Sequence, residues 1–341
     1  MKKILITGGA GFIGSNFVKY IYDHYSNYHI VVLDALTYAG NMDNISQNIR
    51  NDSRFEFWYG NVCNGNLVDE LMSQVDVVVH FAAESHVARS IFDNFVFFET
   101  DVIGTYVIAN SVLRHKDSIE RFIHISTSEV YGTACSAPMT EEHLLNPASP
   151  YAAAKAGADR LVYSYCETYD IPAIIVRPFN QYGPNQHLEK AIPRFITSSL
   201  LNEPLTVHGS GENTRDWVYV TDLCNAIDRA MHVELDKVRG QVINIGTGVD
   251  LSVVTIANLI VNQVSKSTPI TNIGDRPGQV QRHISSTDKA LKLLGWKAQT
   301  NIEEGLAKTI DWYKNNREWW TKLRWMRHVL IKTKDGKVEY H

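Results

Sequence analysis

The chain opens with KILITGGAGFIGSN, residues 3–16, in which a short apolar run passes directly into a glycine-rich turn. Gly8, Gly11 and Gly14 recur every third residue, and helical spacing begins at Ser15. The first glycine permits a tight turn, the second lets the backbone approach a pyrophosphate, and the third lets helix and strand pack closely. The helix N-terminus adds N–H donors and a positive dipole. This stretch therefore predicts a dinucleotide-binding βαβ unit.

A carboxylate at the end of the second apolar run narrows the choice of dinucleotide. Residues 30–33 have the pattern of a buried strand, and Asp34 follows them, 20 residues after Gly14. A carboxylate there can hydrogen-bond the ribose 2′-hydroxyl of NAD and would repel the 2′-phosphate of NADP. Asp34 therefore favours NAD as the cofactor.

Apolar β-branched runs alternate with helical segments through the first half of the chain. The predicted strands are 3–6, 30–33, 75–81, 122–125 and 173–176, and the clearest helices between them are 15–24 and 151–169. This alternation predicts an α/β fold with a doubly wound parallel sheet of the Rossmann type. After Pro178 the pattern loosens into shorter elements, with helices predicted at 191–201, 221–232, 254–263 and 302–315.

The loosened pattern predicts a smaller α/β C-terminal substrate domain, laid over the carboxyl edge of the sheet. We expect residues 1–178 to form the NAD-binding domain, with later segments returning to it, and 179–317 to bind mainly substrate. Residues 318–341 form a tail with three tryptophans and then a predicted β-hairpin that turns at Asp335-Gly336. The tail could be a clasp on its own chain or a subunit contact.

Composition excludes several classes of partner. Of the 341 residues 44% are hydrophobic, and the formal net charge is -4. This balance argues against nucleic acid and anionic membrane surfaces as partners. No apolar run reaches the roughly 18 residues of a membrane-spanning helix. The four cysteines lie far apart without metal-ligand spacing, so we expect a cytoplasmic protein with no metal site and no disulfide framework.

A tyrosine and a lysine four residues apart form the first catalytic candidate. Ser149 and Pro150 have the residue types of a helix start, and Tyr151 and Lys155 would share one face of that helix. A lysine ammonium beside a phenol is expected to lower the phenol pKa and make it a usable base. The YxxxK pattern alone is more often a surface pair, and the glycine loop supplies the context that favours a catalytic role.

A second group of candidates follows the strand at 122–125, at the carboxyl edge where catalytic groups collect. Thr127, Ser128 and Glu129 come directly after this strand and Ser126. Taken with the glycine loop and the YxxxK helix, they resemble the extended short-chain dehydrogenase/reductases, and most closely the nucleotide-sugar 4,6-dehydratases that act on dTDP-glucose. The resemblance extends from Lys3 to Tyr313, and its more specific segments are HFAAESHVARS (80–90), YGPNQ (182–186) with the following EK and P, and RPG (276–278).

The resemblance implies a reaction without net redox change. Tyr151, supported by Lys155 and Thr127, would take the proton of the sugar 4-hydroxyl while hydride leaves C4 for a tightly held NAD. Glu129 would remove the C5 proton, water would leave from C6, and hydride would return to C6. The expected partner is a nucleotide-diphosphate sugar, and the expected role is deoxysugar biosynthesis for a cell-surface polysaccharide.

The resemblance also implies residues that bind cofactor and substrate. NAD is expected to contact Gly8, Gly11, Phe12, Ile13, Gly14, Asp34, Asn61, Val62, Ala82, Ala83, Tyr151, Lys155 and Pro178. The nucleotide sugar is expected to contact Ser85, Asn180, Glu189, Lys190, Arg215 and Arg276. Arginine and lysine donors suit a diphosphate because their charge and geometry match its oxygens. Asn61 stands where the family usually has an aspartate that reaches the adenine.

One departure from the family pattern concerns the catalytic residues. The dTDP-glucose enzymes carry an aspartate before the glutamate, as the acid for the departing C6 hydroxyl, whereas this chain has Ser128, a poor proton donor. The Thr-Ser-Glu form resembles GDP-mannose and UDP-N-acetylglucosamine 4,6-dehydratases and UDP-glucuronate decarboxylases. Glu129 could then carry the proton to both C5 and the C6 oxygen. The nucleotide and the sugar stay open.

Three other functions remain possible for the same fold. They are a UDP-glucuronate decarboxylase, a nucleotide-sugar 4-epimerase, which would leave Glu129 without a task, and a non-catalytic NAD-binding regulator, which would need none of the catalytic set. Relatives commonly form homodimers through the helix that carries Tyr151 and the one before it. The apolar Leu161, Val162 and Tyr165 are compatible with that arrangement.

Overall fold

The computed structural model describes residues 1–275, 277–333 and 336–340, with Glu339 described by its backbone alone. The strands are β1 Lys2–Thr7, β2 Tyr28–Asp34, β3 Phe55–Tyr59, β4 Val77–His80, β5 Arg121–Ile125, β6 Ala173–Pro178, β7 Asn180–Tyr182, β8 Leu205–His208, β9 Thr214–Tyr219, β10 Val242–Ile245, β11 Asp250–Ser252, β12 Ile270–Ile273, β13 Leu330–Lys332 and β14 Val338–Tyr340. The helices are α1 Phe12–His24, α2 Gln47–Arg50, α3 Gly65–Met72, α4 Val87–Phe92, α5 Phe95–Phe97, α6 Thr105–Arg114, α7 Pro150–Tyr169, α8 Ala191–Leu200, α9 Val220–His232, α10 Leu235–Val238, α11 Val253–Val264, α12 Asp288–Leu294, α13 Ile302–Asn315 and α14 Arg317–Thr321.

A seven-stranded sheet with the order β10-β6-β5-β4-β1-β2-β3 forms the centre of the fold. Every neighbouring pair in it is parallel. The order reverses at β1, so crossovers run to both sides of the first strand and cover both faces of the sheet. The predicted doubly wound Rossmann-type sheet is confirmed.

Side chains alternate between two apolar cores on opposite faces of this sheet. Ile4 and Ile6 of β1 pack on the side of α1 and α9, whereas Leu5 packs on the side of α3, α6 and α7. Because both faces are covered, the strands have continuous apolar sequences in place of an apolar-polar alternation. That continuity made β1, β2, β4, β5 and β6 recognisable in the sequence.

Two strands of the central sheet were not predicted from the sequence. β3 occupies one edge and reads Phe55-Glu56-Phe57-Trp58-Tyr59, and its side chains are half-buried or exposed. β10 occupies the other edge and comes from the part of the chain after residue 178. Its pairing with β6 means that a segment of the predicted substrate region returns to the NAD-binding sheet, as expected for this fold.

The remaining sheets form a second layer beyond the carboxyl ends of the central strands. β11, β9 and β7 make a three-stranded sheet, and β12 pairs with β8. A third apolar core joins α8, α11 and α13 here and includes Trp319 and Trp320 of the tail. This layer covers one side of the cleft at the carboxyl ends of the central strands. The domain boundaries at 178 and 317 remain predictions.

The tail folds back onto its own chain. β13 and β14 pair antiparallel, which gives the expected hairpin, while Asp335 of its predicted turn lies outside the described residues. The Thr333 N–H donates to the Lys337 carbonyl oxygen at 2.8 Å, and Gly336 has φ of 84°. The two-residue turn at Asp335-Gly336 stays a prediction. Val329 and Ile331 pack with Ala88 of α4.

One continuous helical stretch, Phe95–Arg114, joins α5 and α6 through a π-helical segment at Phe98–Gly104. It is long and apolar enough to cross a membrane by length and composition, with a mean hydropathy of 1.3. Buried helices in globular proteins meet the same criteria, and 44% of this stretch is buried inside the fold. α7 covers one of its sides, while Ile103 and Tyr106 face outward.

Candidate active site

A long cleft lies at the carboxyl ends of the central strands, between the sheet and the second layer. Each predicted site residue that falls within the described ranges lines this cleft. These residues are Gly8, Gly11, Phe12, Ile13, Gly14, Asp34, Asn61, Val62, Ala82, Ala83, Ser85, Thr127, Ser128, Glu129, Tyr151, Lys155, Pro178, Asn180, Glu189, Lys190 and Arg215. The remaining prediction, Arg276, lies outside the described residues.

The glycine loop at one end of the cleft owes its shape to close backbone contacts. Gly8 has φ of 69°, and a Cβ atom there would lie 2.6 Å from the backbone nitrogen of Ala82. A Cβ on Gly14 would lie 2.2 Å from the carbonyl oxygen of Gly8. Gly11 caps α1, so the N-terminus of this helix faces the cleft. The loop thus has the geometry that holds a pyrophosphate on backbone N–H groups.

Asp34 stands at the end of β2 beside this loop. One carboxylate oxygen accepts the Ala10 N–H at 2.9 Å, and the other accepts the Leu36 N–H at 2.8 Å. Burial raises the pKa of Asp34, and these two backbone donors oppose the rise. Each oxygen keeps a further lone pair for a donor in the cleft. At the next strand end, Oδ1 of Asn61 accepts the Cys63 N–H at 2.8 Å and so fixes the orientation of its amide.

Tyr151 and Lys155 share the buried face of α7, which begins with the Ser149 cap and Pro150. Nζ of Lys155 donates to the carbonyl oxygen of Ile125 at 2.8 Å. The predicted lowering of the Tyr151 pKa is wrong for this arrangement. Burial raises the pKa of Tyr151, as do the carboxylates of Asp101 and Glu129, and the neighbouring Thr127 side chain lowers it. A neutral phenol is therefore the favoured form.

Asp101 is a buried carboxylate beneath this pair that sequence reasoning did not single out. One of its oxygens accepts the Glu84 N–H at 2.8 Å, and the other has no hydrogen-bond partner in the described structure. Burial raises the pKa of Asp101, and the nearby Lys155 ammonium opposes the rise. The carboxylate in turn raises the pKa of Tyr151. No local sequence pattern around Asp101 indicated this role.

Glu129 and Ser128 lie in the 3₁₀ turn Ser128–Tyr131 that follows β5. The Thr127 hydroxyl accepts the Glu129 N–H at 3.2 Å, which fixes the start of the turn. Glu129 lies close enough to Tyr151 and Arg215 to shift the pKa of each. A carboxylate, a phenol and a guanidinium thus meet at the middle of the cleft.

The substrate end of the cleft contains a buried ion-pair network. Oε2 of Glu189 lies 3.0 Å from Nε of Arg89, and Nζ of Lys190 donates to the Ser85 carbonyl oxygen at 2.6 Å. Burial alone would raise the pKa of Glu189, but cationic neighbours, including His86, Lys190 and Arg89, hold it at about 2. Oε2 of Glu189 is thus paired with Arg89, whereas Oε1 is buried without a hydrogen-bond partner among the described residues, and Lys190 lines the same cleft.

Arg215 and Asn180 lie on adjacent strands of the second layer and point into the same cleft. Nη1 of Arg215 donates to the carbonyl oxygen of Thr214 at 2.9 Å, and burial lowers the pKa of the guanidinium. A buried guanidinium with donors to spare is suited to an anionic ligand.

Comparison with known proteins places this geometry in a family. Residues 5–309 match the family described as GDP-mannose 4,6 dehydratase. The chain belongs to this family.

Individual members of the family and of its structural neighbourhood carry different activities. The chain is 44% identical to the low-salt glycan biosynthesis protein Agl12 of Haloferax volcanii, over 92% of this chain and 99% of that protein. It resembles a dTDP-glucose 4,6-dehydratase from Streptomyces venezuelae solved with NAD bound, with a TM-score of 0.88 and 38% identity, over 94% of this chain and 99% of that one. A UDP-glucuronic acid 4-epimerase from Bacillus cereus gives a TM-score of 0.86 at 31% identity, over 92% and 99%.

Several residues of this dehydratase-family cleft had no signal in the sequence. Val329 and Ile331 of the tail line the cleft, as does Arg194 of α8. The Arg194 guanidinium has no hydrogen-bond or ion-pair partner among the described residues, and burial lowers its pKa to about 10. His283 does not line the cleft but contacts Ser128 from the interior, and it too had no signal in the sequence. Local sequence patterns do not report such residues because folding alone brings them to the site.

Proposed function

We propose that this protein is an NAD-dependent nucleotide-sugar 4,6-dehydratase, a hydro-lyase that converts a nucleotide-activated hexose to its 4-keto-6-deoxy form. The observation that carries the proposal is the position of Glu129 in the same cleft as Tyr151, Thr127 and Lys155. Oxidation at C4 uses the phenol, whereas loss of water from C5 and C6 requires a separate base. Glu129 supplies that base.

The cleft fits NAD on the evidence of its own atoms. Gly8 and Gly14 allow the close main-chain contacts that give the loop its shape, and Asp34 presents carboxylate oxygens at the end of β2. The glycine loop and α1 would hold the pyrophosphate, and Asp34 would bind the ribose. NAD, when bound, supplies the hydride acceptor for C4 and brings a positive charge close to Tyr151.

Tyr151 takes the proton of the C4 hydroxyl in the proposed first step. Its raised pKa makes it a poor base alone, so it needs the donors around it. The Thr127 side chain lowers the pKa of the phenol and would stabilise the phenolate. Lys155 lies in the same region, anchored to the Ile125 carbonyl; burial lowers its pKa, and the carboxylates of Asp101 and Asp159 oppose that fall.

Glu129 performs the second step. Once C4 is a ketone the C5 proton is acidic, and the carboxylate can remove it. Because Ser128 replaces the family acid, Glu129 then gives the same proton to the departing C6 oxygen. The C5–H and C6–O bonds break, a C5–C6 double bond forms and water leaves. Glu129 then takes up a proton from solvent and delivers it to C5 while hydride returns to C6, which completes the 4-keto-6-deoxy sugar.

The substrate is held through its diphosphate and sugar hydroxyls. Arg215 would bind the diphosphate, with Asn180 and Lys190 beside it, because donors on buried cations bind phosphate oxygens strongly. Ser85 would contact the sugar, and Arg276 stays a proposal from the sequence. Glu189 would act indirectly, by holding Arg89 and the Lys190 region in place. We propose dTDP-glucose or a UDP-hexose as substrate.

Three features of the cleft disfavour the alternative functions. A 4-epimerase resembles this chain in fold, but its reaction leaves Glu129 without a function. A UDP-glucuronate decarboxylase needs a cation for the C6 carboxylate, and the group behind Ser128 is His283, whose pKa burial lowers. A regulator without catalysis would have no need of the buried Tyr151 and Lys155.

We also propose a homodimer in the cytoplasm that serves deoxysugar biosynthesis for a surface glycan. α6 and α7 pack side by side, and Ile103, Tyr106 and Tyr169 are exposed on them. Tyr165 stacks edge-to-face with Tyr169, at 5.1 Å between ring centroids. Of the residues first expected at this contact, Val162 is buried in the core instead. Measurement of mass in solution for the wild type and for Tyr106→Glu would test the dimer.

The function is tested by mass spectrometry of products. The purified protein is incubated separately with dTDP-glucose, UDP-glucose, UDP-N-acetylglucosamine, GDP-mannose and UDP-glucuronate, without added reductant. The expected result is the loss of one water from a hexose substrate. The substrate that reacts identifies the nucleotide. Loss of carbon dioxide from UDP-glucuronate alone would overturn the proposal.

A further inference from the structure

Ser128 forms a buried hydrogen-bonded chain with His283 and Gly132. Its hydroxyl oxygen lies 3.3 Å from Nδ1 of His283, and Nε2 of His283 lies 2.8 Å from the carbonyl oxygen of Gly132. Ser128 and His283 are 2% and 0% exposed. The two residues are 155 positions apart in sequence, so only the fold reveals the pair.

The Gly132 contact fixes the tautomer of His283. A carbonyl oxygen can only accept, so Nε2 must carry the proton. Burial lowers the pKa of His283; the nearby Arg215 also lowers it, whereas the Glu129 carboxylate and the Gly132 contact raise it. The ring is thus neutral and Nδ1 is bare. Ser128 must then donate its only proton to Nδ1, which leaves its oxygen as an acceptor.

Ser128 lines the cleft beside Glu129, where the dehydratase reaction handles C6. We propose that Ser128, oriented by His283, accepts a hydrogen bond from the C6 hydroxyl of the substrate and so selects sugars whose C6 substituent is a donor. This inference rests on the proposed dehydratase function. Ser128 would contact substrate, and His283 is a positioning residue that acts through it.

The pair also determines which group protonates the leaving oxygen. The Ser128 proton is held by His283, so it is not available to the C6 oxygen. The C6 hydroxyl keeps its own hydrogen, which it donates in a hydrogen bond to the Ser128 oxygen. The C6 oxygen receives its second hydrogen from Glu129, which took that proton from C5. The C6–O bond then breaks and water departs with both hydrogens. The same geometry disfavours a C6 carboxylate, which has no hydrogen to donate to Ser128.

The test compares two substrates that give the same product. dTDP-glucose loses water, whereas dTDP-6-deoxy-6-fluoroglucose loses hydrogen fluoride, and its fluorine has no hydrogen to donate. Loss of one neutral hydrogen bond is worth about a factor of 3–10. Ser128→Ala and His283→Leu should therefore lower kcat/KM for dTDP-glucose by about 3–10-fold, and for the fluoro substrate by less than about twofold.

Two further variants separate positioning from folding. His283→Asn keeps an acceptor at the place of Nδ1 and should recover much of the wild-type ratio between the two substrates. Ser286→Ala, a buried serine in the same segment that does not line the cleft, should keep that ratio unchanged. A folding defect would lower the rates of both substrates equally.

Each outcome of the test decides the inference. Equal losses on both substrates, or a wild-type ratio in Ser128→Ala, would overturn it while leaving the dehydratase proposal intact. A wild type that dehydrates no nucleotide hexose would overturn both together.

Discussion

The two ends of the cleft are built in different ways. At the cofactor end the shape comes from backbone: Gly8 and Gly14 allow main-chain contacts that a single added carbon would prevent. At the reaction end it comes from buried charged and polar side chains, such as Asp101, Lys155 and Glu189, which lie in water-poor surroundings. The first end is specified by consecutive residues and tolerates no added volume. The second depends on long-range contacts and on charge.

The largest effect should come from Glu129→Gln, which keeps the shape of the side chain and removes its base. Loss of a general base costs about 10²–10⁴-fold in rate. Turnover should fall by that amount while C4 is still oxidised, so the near-ultraviolet absorbance of reduced cofactor should rise after substrate is added. Glu142→Gln, at an exposed glutamate, is the matched control. Full turnover in Glu129→Gln would remove Glu129 from the reaction.

Arg215→Ala should be next in size and should act on binding. A charge-assisted hydrogen bond is worth about 1.5–3 kcal/mol, which corresponds to about a 10–100-fold rise in KM. kcat should fall by a smaller factor than KM rises, and this part of the effect reflects the interaction of Arg215 with the Glu129 carboxylate. Arg282→Ala removes an exposed arginine that pairs with Asp250 and serves as control in the same steady-state assay. An unchanged KM would show that Arg215 does not bind the diphosphate.

Gly14→Ala and Gly11→Ala test the cofactor end of the cleft, whose shape depends on close backbone contacts. The new methyl group at Gly14 would lie 2.2 Å from the Gly8 oxygen, whereas a methyl group at Gly11 would lie 3.2 Å from the same oxygen. Overpacking of this kind costs about 1–3 kcal/mol. Gly14→Ala should therefore lower the free energy of unfolding by this amount, measured by denaturant titration.

Gly11→Ala should retain more of that stability and mainly lose bound NAD, which can be quantified after the protein is denatured. Gly65→Ala, where the nearest atom is 4.0 Å away, should be neutral in both measurements. Equal stability of Gly14→Ala and Gly65→Ala would contradict the role assigned to backbone packing.

The smallest effect is expected in the pH dependence of stability, which tests the buried charged residues at the reaction end of the cleft. Burial raises the pKa of Asp101 above its unfolded value, so above about pH 4 the folded state binds more protons than the unfolded state. The free energy of unfolding therefore falls as pH rises through this window. Asp101→Asn should reduce that fall by about 1 kcal/mol or more. Asp117→Asn, at an exposed aspartate, should not change the slope of stability against pH.

The difference between the two ends also explains what the sequence could predict. The glycine loop, Asp34 and the YxxxK pair are local patterns, and folding leaves their residues near one another. The edge strand β3 escaped prediction because its aromatic and charged residues lack the apolar continuity of buried strands. Asp101 and His283 have no local pattern, and their proximity to Lys155 and Ser128 follows from crossovers between distant segments.

The pKa of Tyr151 shows a further limit of sequence reasoning. A lysine one helical turn away suggests a lowered pKa, but the structure anchors its ammonium on the Ile125 carbonyl and buries the phenol. Spacing along a helix indicates which side chains share a face. It does not give the cost of burying them, which depends on the whole fold.

Transfer of the C4 hydrogen within one substrate molecule tests the central claim most directly. The substrate that the protein dehydrates is prepared with deuterium at C4, and the product is analysed by mass spectrometry and NMR. A 4,6-dehydratase that retains its hydride predicts a 4-keto product carrying the deuterium at C6. Deuterium returned to C4, as in an epimerase or a decarboxylase, or lost to solvent, would contradict the account.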